Sequence, residues 1–393
     1  KAVVKPRESK EHIRSQKLDK IFTGKYTALP VFVGIMAAVF YLTFNVIGAW
    51  LQGLLEGGIE WLTVIVDTLL TQLNVNDVLH ALIIDGIFNG VGSVLVFLPN
   101  IMILYLFISF LEDSVYLARA AFIMDNLMHV AGLHGKSFIP LVMGFGCNVP
   151  AIMATRAIES RSSRLITILI NPFMSCSARL PIFLLLAGTF FPQRAGMALF
   201  AMYIIGVALA ALMAIVFRKV LFNKEETPFV MELPDYKLPT LRGILMHTAE
   251  KSWGFVRKAG TITLAAALIV WILSSFPAGV EYGSQESAIG MIGTAVAPVF
   301  APLGFGSWQP AVALIFGLVA KEVVVGTFSS LFGVAEEGAG IAAAMHGIFT
   351  PLTAYVFMVF VLLYIPCFAA LGTIKQETGG WKWPLVMSAT TLI

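Results

Sequence analysis

The chain has little charge and few cysteines for its length. Only 12% of its 393 residues are charged, whereas soluble globular domains average about 25%. Its mean hydropathy is +0.86. An ordinary soluble domain is therefore excluded. Three cysteines do not make a disulfide framework, so we expect reduced thiols. The composition predicts an all-α fold, a polytopic bundle of transmembrane helices surrounded by lipid.

Long stretches of the sequence lack positive charge. Lys and Arg are absent from residues 26–118 and again from 259–320. Basic residues gather instead in 1–25, with eight against three acids, and in 218–258, with eight against five. By the positive-inside rule these two basic regions face the cytoplasm. The net charge of +3 then reflects topology, and no nucleic-acid partner is expected.

Apolar stretches of spanning length predict eight to eleven membrane crossings. They lie near 29–50, 79–98, 100–117, 137–155, 163–189, 195–217, 259–276, 309–332, 351–372 and from 382 onward. Residues 51–77 place Glu56, Glu60 and Asp67 among apolar residues, which predicts an interfacial helix on the external side. Residues 277–308 are also expected to be external.

The basic regions divide the chain into four parts. We expect a cytoplasmic linker remnant at 1–25, a first transmembrane half at 26–217, a cytoplasmic link at 218–258 and a second half at 259–393. The chain starts with Lys rather than Met, which suggests a piece of a longer protein. A full-length span follows the basic start, so no cleavable signal peptide is expected.

All three cysteines lie where apolar segments are interrupted. The segments are IPLVMGFGCNVPAIMATR with Cys147, LITILINPFMSCSARLPIFLLL with Cys176 and FVLLYIPCFAALGTIKQE with Cys367. In lipid, such interruptions are tolerated only where protein or a watery cavity surrounds them. Similar interruptions in two halves predict a two-fold internal repeat, with a transporter binding site at the interface between the repeats.

Thiols, thioethers and amide oxygens at these breaks are typical ligands of a soft or borderline transition metal. Met143 precedes Cys147 by four residues and would share its helical face. Asn148 would face the same break. Taken one at a time, each of these side chains is more often a packing residue than a ligand.

Three charges fall inside apolar segments. Arg179 lies between Pro172 and Pro181, and a charge at membrane depth costs at least about 2.5 kcal/mol. It forms either an ion pair or a clamp on carbonyls that the breaks leave free. Lys321 and Glu322 are adjacent and would point about 100° apart on a helix. We expect each to be a structural or gating charge, and Glu322 with Arg179 is one hypothetical buried pair.

Glu112 and Asp113 end a long apolar run. They are either ion ligands near an entrance or the solvated edge of a helix, and the sequence favours neither. The candidate metal ligands are therefore Cys147, Cys176, Cys367, Met143, Asn148, Glu112 and Asp113.

Two other patterns carry no site. Gly135-Lys136-Ser137 resembles the end of a phosphate-binding loop, but Val130 stands where the required glycine would be. The histidines show no zinc-site spacing; they are His12, His80, His129, His134, His247 and His346. No catalytic or cofactor-binding residue is predicted in this chain.

Four strings resemble the membrane, or gate, domain of bacterial FeoB-type ferrous iron transporters. They are FLPNIMILYLFISFLEDSVYLARAAFIMD, KSFIPLVMGFGCNVPAIMATRAIESRSSRL, NPFMSCSARLPIF and YIPCFAALGTIKQETGGWKWP. The resemblance implies an inner-membrane importer with Fe(II) as the transported ion. It also implies two gate segments around the broken helices, one in 26–217 and one in 259–393. It implies an N-terminal GTP-binding domain that gates transport, whose phosphate-binding motif this chain lacks, so that the full-length protein would be an NTP-hydrolysing transporter. Small accessory subunits of the Feo system are also implied, and an oligomer is compatible with the resemblance.

The family proposal that gate cysteines guide iron carries over to Cys147 and Cys367, with Cys176 as a third candidate. Two rival functions remain open. A nucleoside or other organic-solute carrier would need aromatic and amide groups at the breaks rather than thiols. An intramembrane enzyme would use Cys147 or Cys176 as nucleophile, but no histidine lies near either in sequence.

Overall fold

The computed structural model describes residues 27–73, 98–130, 132–221, 239–255, 261–277, 284–332 and 339–392, together with scattered positions within 15–24 and 75–92, and Tyr236. Within these ranges every regular element is a helix and no strand occurs. The predicted all-α class is confirmed. The expected span near 79–98 and most of the two basic regions lie outside the described residues.

A long helical segment opens the described fold. It consists of α1 (Ala28–Tyr41), a π-helical turn (Leu42–Val46) and α2 (Ile47–Gln72), and it counts as one 45-residue apolar helix. At 1.5 Å per residue it is about 68 Å long, so it must extend beyond a hydrocarbon core of about 30 Å. Residues 51–72 of the segment 51–77, which was expected as an interfacial helix of its own, instead continue this helix, because no proline separates them from α1.

The wide π turn provides a contact for the next helix, α3 (Leu98–Asp113). A side chain at Gly48 would overlap the Thr43 carbonyl and the Asn100 amide oxygen. Glycine is therefore required where α3 crosses the turn. Asn100 also donates from Nδ2 to Oε1 of Gln52 at 2.7 Å, which joins α2 and α3.

Helix α3 bends by 79° into α4 (Tyr116–Val130). Val115 at the bend has a φ of 65°, which is unusual for a β-branched residue. The first pair of short helices follows, namely α5 (Phe138–Gly144) and α6 (Asn148–Ala154).

The middle of the chain contains a second long apolar helix. After α7 (Arg161–Ile170) and α8 (Leu180–Phe190), α9 (Ala195–Leu221) forms a 27-residue apolar helix. The next helices are α10 (Leu241–Phe255), α11 (Thr261–Ser275) and α12 (Ala288–Phe300).

The C-terminal part repeats the pattern of helix, break and helix. Its elements are α13 (Trp308–Val319), α14 (Val323–Phe332), α15 (Ala339–Ile348), α16 (Pro351–Leu363), α17 (Phe368–Thr378) and α18 (Lys382–Leu392). Breaks in the α-helix therefore separate α5 from α6, α7 from α8, α13 from α14, and α16 from α17, and the second of them contains two short 3-10 turns. Three of these breaks are at the cysteine segments, where the sequence predicts interruptions. The break between α13 and α14 was not predicted, because residues 309–332 were expected to form one span.

The predicted eight to eleven crossings concern the whole chain, whereas the structure describes only part of it. Four helical segments there are long and apolar enough to span a membrane, or up to six if each bent pair is one span. The breaks divide several predicted spans into helices too short to cross alone. The chain is a membrane protein with an aromatic core, in which Phe305 and Phe357 meet edge to face at 5.2 Å.

Candidate metal-ion cavity between broken helices

The four breaks surround one cavity of about 790 Å³. Cys147, Cys176 and Cys367 all line it, although each comes from a different break. Asn148, Lys321 and Glu322 contribute polar groups to the lining, and residues of the π turn and of α3 line the cavity as well. Three thiols that are 29 to 220 residues apart in sequence thus line the same cavity.

The first break positions Cys147. Helix α5 ends at Gly144, and Cys147 is extended, with φ of −152° and ψ of 131°, before α6 begins. Pro150 falls in the first turn of α6, where its missing N–H leaves no helical bond unmade. The Asn148 amide, oriented to satisfy its neighbours, donates to the Gly144 carbonyl at 3.2 Å and to Oδ1 of Asn171 at 3.1 Å.

The second break is held by Arg179. Its side chain is only 1% exposed, and it donates from Nη1 to the Met174 carbonyl at 2.9 Å and from Nη2 to the Pro172 carbonyl at 3.1 Å. These bonds satisfy carbonyls at the break, as buried backbone groups require. Among the described residues, Arg179 and Glu322 form no ion pair. Of the two roles predicted for Arg179, the structure shows the clamp.

The first two breaks are also joined to each other. Ser177 donates to the Gly146 carbonyl from its backbone N at 3.2 Å and from Oγ at 2.9 Å. Asn171 donates from Nδ2 to the Pro140 carbonyl at 3.0 Å. The breaks that carry Cys147 and Cys176 therefore form one hydrogen-bonded unit.

The third break, between α13 and α14, places Lys321 against the fourth break, between α16 and α17. Helix α13 ends at Val319 and Ala320 is extended, so Lys321 and Glu322 lie in the break rather than on a helix. Lys321 is 3% exposed, and its Nζ donates to the Ile365 carbonyl at 2.9 Å. Glu322 is half-buried at the cavity, and the described part of the chain offers it no cation within ion-pair distance. The expectation of a paired Glu322 is therefore wrong for these residues.

Three predicted ligands do not reach the cavity. Met143 is 4% exposed and packs in an apolar cluster with residues of α1 and α3. The helical-face argument for Met143 is wrong because the chain leaves the helix before Cys147. Glu112 and Asp113 end α3 on another side, where Asp113 lies beside Gly243 of α10.

The thiols do not form a preorganised metal site in this conformation. Within the described ranges, no three His, Cys, Asp or Glu side chains are placed to hold one ion together. The cysteines are free thiols. The three thiols therefore line the cavity as separate soft ligands and do not form one shared metal site.

Two ion-paired groups, each centred on one buried side chain, were not among the sequence predictions. Glu377, whose side chain is 3% exposed, binds Arg156 from α6's end and Arg164 from α7. Arg119, 1% exposed, donates from Nε to Oδ1 of Asp19 at 2.6 Å. A signal was present in both cases, because Arg119 stands in an apolar helix and Glu377 ends the third cysteine segment.

Outside the membrane-spanning segments, ion-pair contacts shift the pKa values of two side chains. Hydrogen bonding to Glu377 raises the pKa of Arg156. The hydrogen bond from Lys136 lowers the pKa of Glu159. Both arrangements favour the charged pair at neutral pH.

The fold and the cavity define a class of protein. The helix breaks, the charges that clamp them and the shared cavity together are the broken-helix architecture of membrane transporters.

The Gate family, described as nucleoside recognition, matches residues 94–190 and 256–381. The family described as ferrous iron transport protein B C terminus matches residues 199–251.

Curated relatives agree with these matches. Fe(2+) transporter FeoB of Staphylococcus aureus (strain COL) is 43% identical over 100% of this chain and 59% of its own length. Fe(2+) transporter FeoB of Methanocaldococcus jannaschii is 42% identical over 94% of this chain and 56% of its own. A Porphyromonas gingivalis protein named Fe(2+) transport protein A/Fe(2+) transporter FeoB fusion protein is 44% identical over 94% of this chain and 49% of its own.

The chain belongs to the FeoB family. It spans about half to three fifths of the length of these relatives. No solved structure matches it.

Proposed function

We propose that this chain is the ion-conducting membrane part of a ferrous iron importer. The observation that carries the proposal is the convergence of Cys147, Cys176 and Cys367 on one cavity bounded by four helix breaks. Membership of the FeoB family and the names of its relatives support Fe(II) as the transported ion. The cavity is the place where the ion would leave water and meet protein ligands.

The chemistry of the wall suits this ion. Fe(II) is borderline in softness, so thiols backed by the Glu322 carboxylate and the Asn148 amide would favour it over Mg(II) or Ca(II). A conducting path also needs sites that release an ion as readily as they bind it. We propose that Cys147 and Cys367 approach each other in at least one transport state and bind Fe(II) transiently.

The rest of the importer is proposed from the relatives and the charge pattern. Nucleotide control would come from a GTP-binding domain outside this chain. The fusion of Fe(2+) transport protein A to FeoB in one relative supports a small accessory subunit of that kind as partner. We propose the bacterial inner membrane as location, with residues 1–25 and 218–258 cytoplasmic, since both are basic. The two halves, 26–217 and 259–393, would each contribute one gate.

The decisive experiment replaces Cys147 and Cys367 by Ser, singly and together, in the longer protein from which transport can be measured. Fe(II) uptake at matched expression should fall in each single variant and further in the double variant, with little loss of folded protein. Met143→Leu is the matched control, because it removes a sulfur that lies outside the cavity. Undiminished uptake in the double variant would refute the proposal that these thiols handle iron.

The nucleoside-recognition description of the matching Gate family supports one alternative substrate class. A cavity of about 790 Å³ also falls within the usual range for small organic ligands. Under this alternative, nucleosides would be taken up or would compete with Fe(II). Uptake of Fe(II) that is insensitive to a large excess of nucleosides, and no nucleoside uptake, would exclude it.

A further inference from the structure

Lys321 occupies an unusual position for a lysine. Its side chain is buried in the cavity wall, with Nζ 2.9 Å from the Ile365 carbonyl oxygen. The same Nζ lies 3.0 Å from the centroid of the Tyr364 ring. An ammonium so placed has a backbone oxygen and an aromatic face as its neighbours, both of which attract cations.

The Ile365 carbonyl is available because of the fourth break. Helix α16 ends at Leu363, Tyr364 is extended, and α17 begins only at Phe368. Unwound carbonyls at such breaks are typical cation ligands in transporters. Cys367 is two residues further on and lines the same cavity. The oxygen that Lys321 contacts therefore lies in the same break as a thiol that lines the cavity.

We propose that the Lys321 ammonium is a tethered competitor, which occupies the Ile365 carbonyl and must be displaced when a divalent cation binds beside Cys367. The inference rests on the proposed function, because it assigns a role within the path of the transported ion. In this conformation the Ile365 carbonyl is occupied by the Lys321 ammonium. When the ion enters, Lys321 withdraws from the carbonyl, and its return helps to expel the ion.

The charge of Lys321 gives the inference a definite sign. Two positive charges a few ångströms apart in a poorly solvated cavity repel each other strongly. Removal of the ammonium should therefore tighten divalent-cation binding by at least about tenfold and slow release. A lysine that served only as a structural clamp would have the opposite effect, because its loss would disorder the break and weaken binding.

The test measures anaerobic Fe(II) binding by equilibrium dialysis on the full chain in lipid nanodiscs. Lys321→Met should bind Fe(II) at least about tenfold more tightly than the original chain, whereas Lys321→Arg, which keeps the charge, should not. Lys375→Met is the matched control. Lys375 also stacks on a ring, 4.3 Å from the Trp381 centroid, but it does not line the cavity.

A second variant protects the test against misfolding. Lys321→Gln keeps a donor for the Ile365 carbonyl while it removes the charge, and it should also tighten binding. Unchanged or weaker binding in folded Lys321→Met or Lys321→Gln would overturn the inference, as would no measurable binding in any of them. The proposed function fails separately, if uptake survives loss of Cys147 and Cys367. If that uptake is lost but the Lys321 variants bind like the original chain, the function stands and the tethered-competitor role is wrong.

Discussion

Arg156 and Glu377 join the far ends of the two short helices that begin at Cys147 and Cys367. Arg156 donates to Glu377 from Nε at 2.8 Å and from Nη2 at 2.5 Å. Helices α6 and α17 pack against each other between the cysteines and this ion pair. Any separation of the two helices that widens the space below the thiols must therefore stretch or break the pair.

The first prediction concerns this pair. Glu377→Gln should lower stability by about 1–3 kcal/mol, because it leaves both Arg156 and Arg164 without their carboxylate. Arg156→Gln should cost less, below about 1 kcal/mol, since its side chain is 56% exposed and Arg164 still pairs with Glu377. Thermal unfolding in nanodiscs gives the ranking.

Thiol accessibility gives a second measurement for the same pair. Both variants should react faster at Cys147 and Cys367 with a small water-soluble thiol reagent. Lys136→Gln is the control, because its partner Glu159 is 84% exposed and the pair should contribute almost nothing. Equal thiol reactivity in all four proteins would show that the Arg156–Glu377 contact does not restrain the helices.

Arg179 is the subject of the second prediction. Arg179→Ala leaves the buried carbonyls of Pro172 and Met174 without their donors, each at a cost of about 1–3 kcal/mol. Folded yield should therefore fall as much as Fe(II) uptake. Arg179→Lys should recover only part of the yield, because one ammonium lacks the planar fork that reaches both oxygens.

Arg194→Ala provides the comparison, since Arg194 is exposed in the turn after α8. Its yield should match that of the original chain. A normal yield of Arg179→Ala with a selective loss of uptake would assign Arg179 to the ion path and contradict its role as a clamp.

The sequence predicts the breaks well but the directions of their side chains poorly. Gly and Pro within apolar segments can be recognised from composition, because lipid tolerates them only under special conditions. The face rule that links Met143 to Cys147 assumes a continuous helix. Helix α5 ends at Gly144, three residues before Cys147, so the rule does not hold for this pair. Met143 packs in an apolar cluster, whereas Cys147 lines the cavity.

The same limit explains the charges. The angle between Lys321 and Glu322 was expected from helix geometry, yet both lie in a non-helical turn. Arg179 was predicted to have either a carboxylate or free carbonyls as partners, and only coordinates distinguish these. The convergence of the three thiols could be predicted from sequence, because each lies at a break. The partner of Lys321 could not be predicted, because it is the backbone carbonyl of Ile365, which no residue pattern marks.

The third prediction tests how tightly the first break is packed. A methyl group on Gly146 would lie 3.0 Å from Cδ2 of Leu104 and 3.1 Å from Cε1 of Phe40. Gly146→Ala should therefore destabilise the chain by about 1–3 kcal/mol, as overpacking does. Gly188→Ala is the control, because nothing lies within 4 Å of a Cβ at that position in the last turn of α8, and alanine there should be neutral or slightly stabilising. Thermal unfolding compares them, and equal stability of the two variants would show that the break is loosely packed.

The last prediction is the orientation of the chain in the membrane. Residues 218–258 carry eight basic and five acidic residues, so we expect them in the cytoplasm, whereas residues 277–308 are expected outside. A cysteine at Asn223, which lies outside the described residues, should not react with a membrane-impermeant maleimide in intact cells and should react after permeabilisation. A cysteine at Glu286, which is exposed in the loop before α12, should react in intact cells.

The original chain gives the background labelling for this test, since its own three thiols line the cavity. Labelling at 223 but not at 286 in intact cells would reverse the orientation, and the iron path proposed here would then run in the opposite sense.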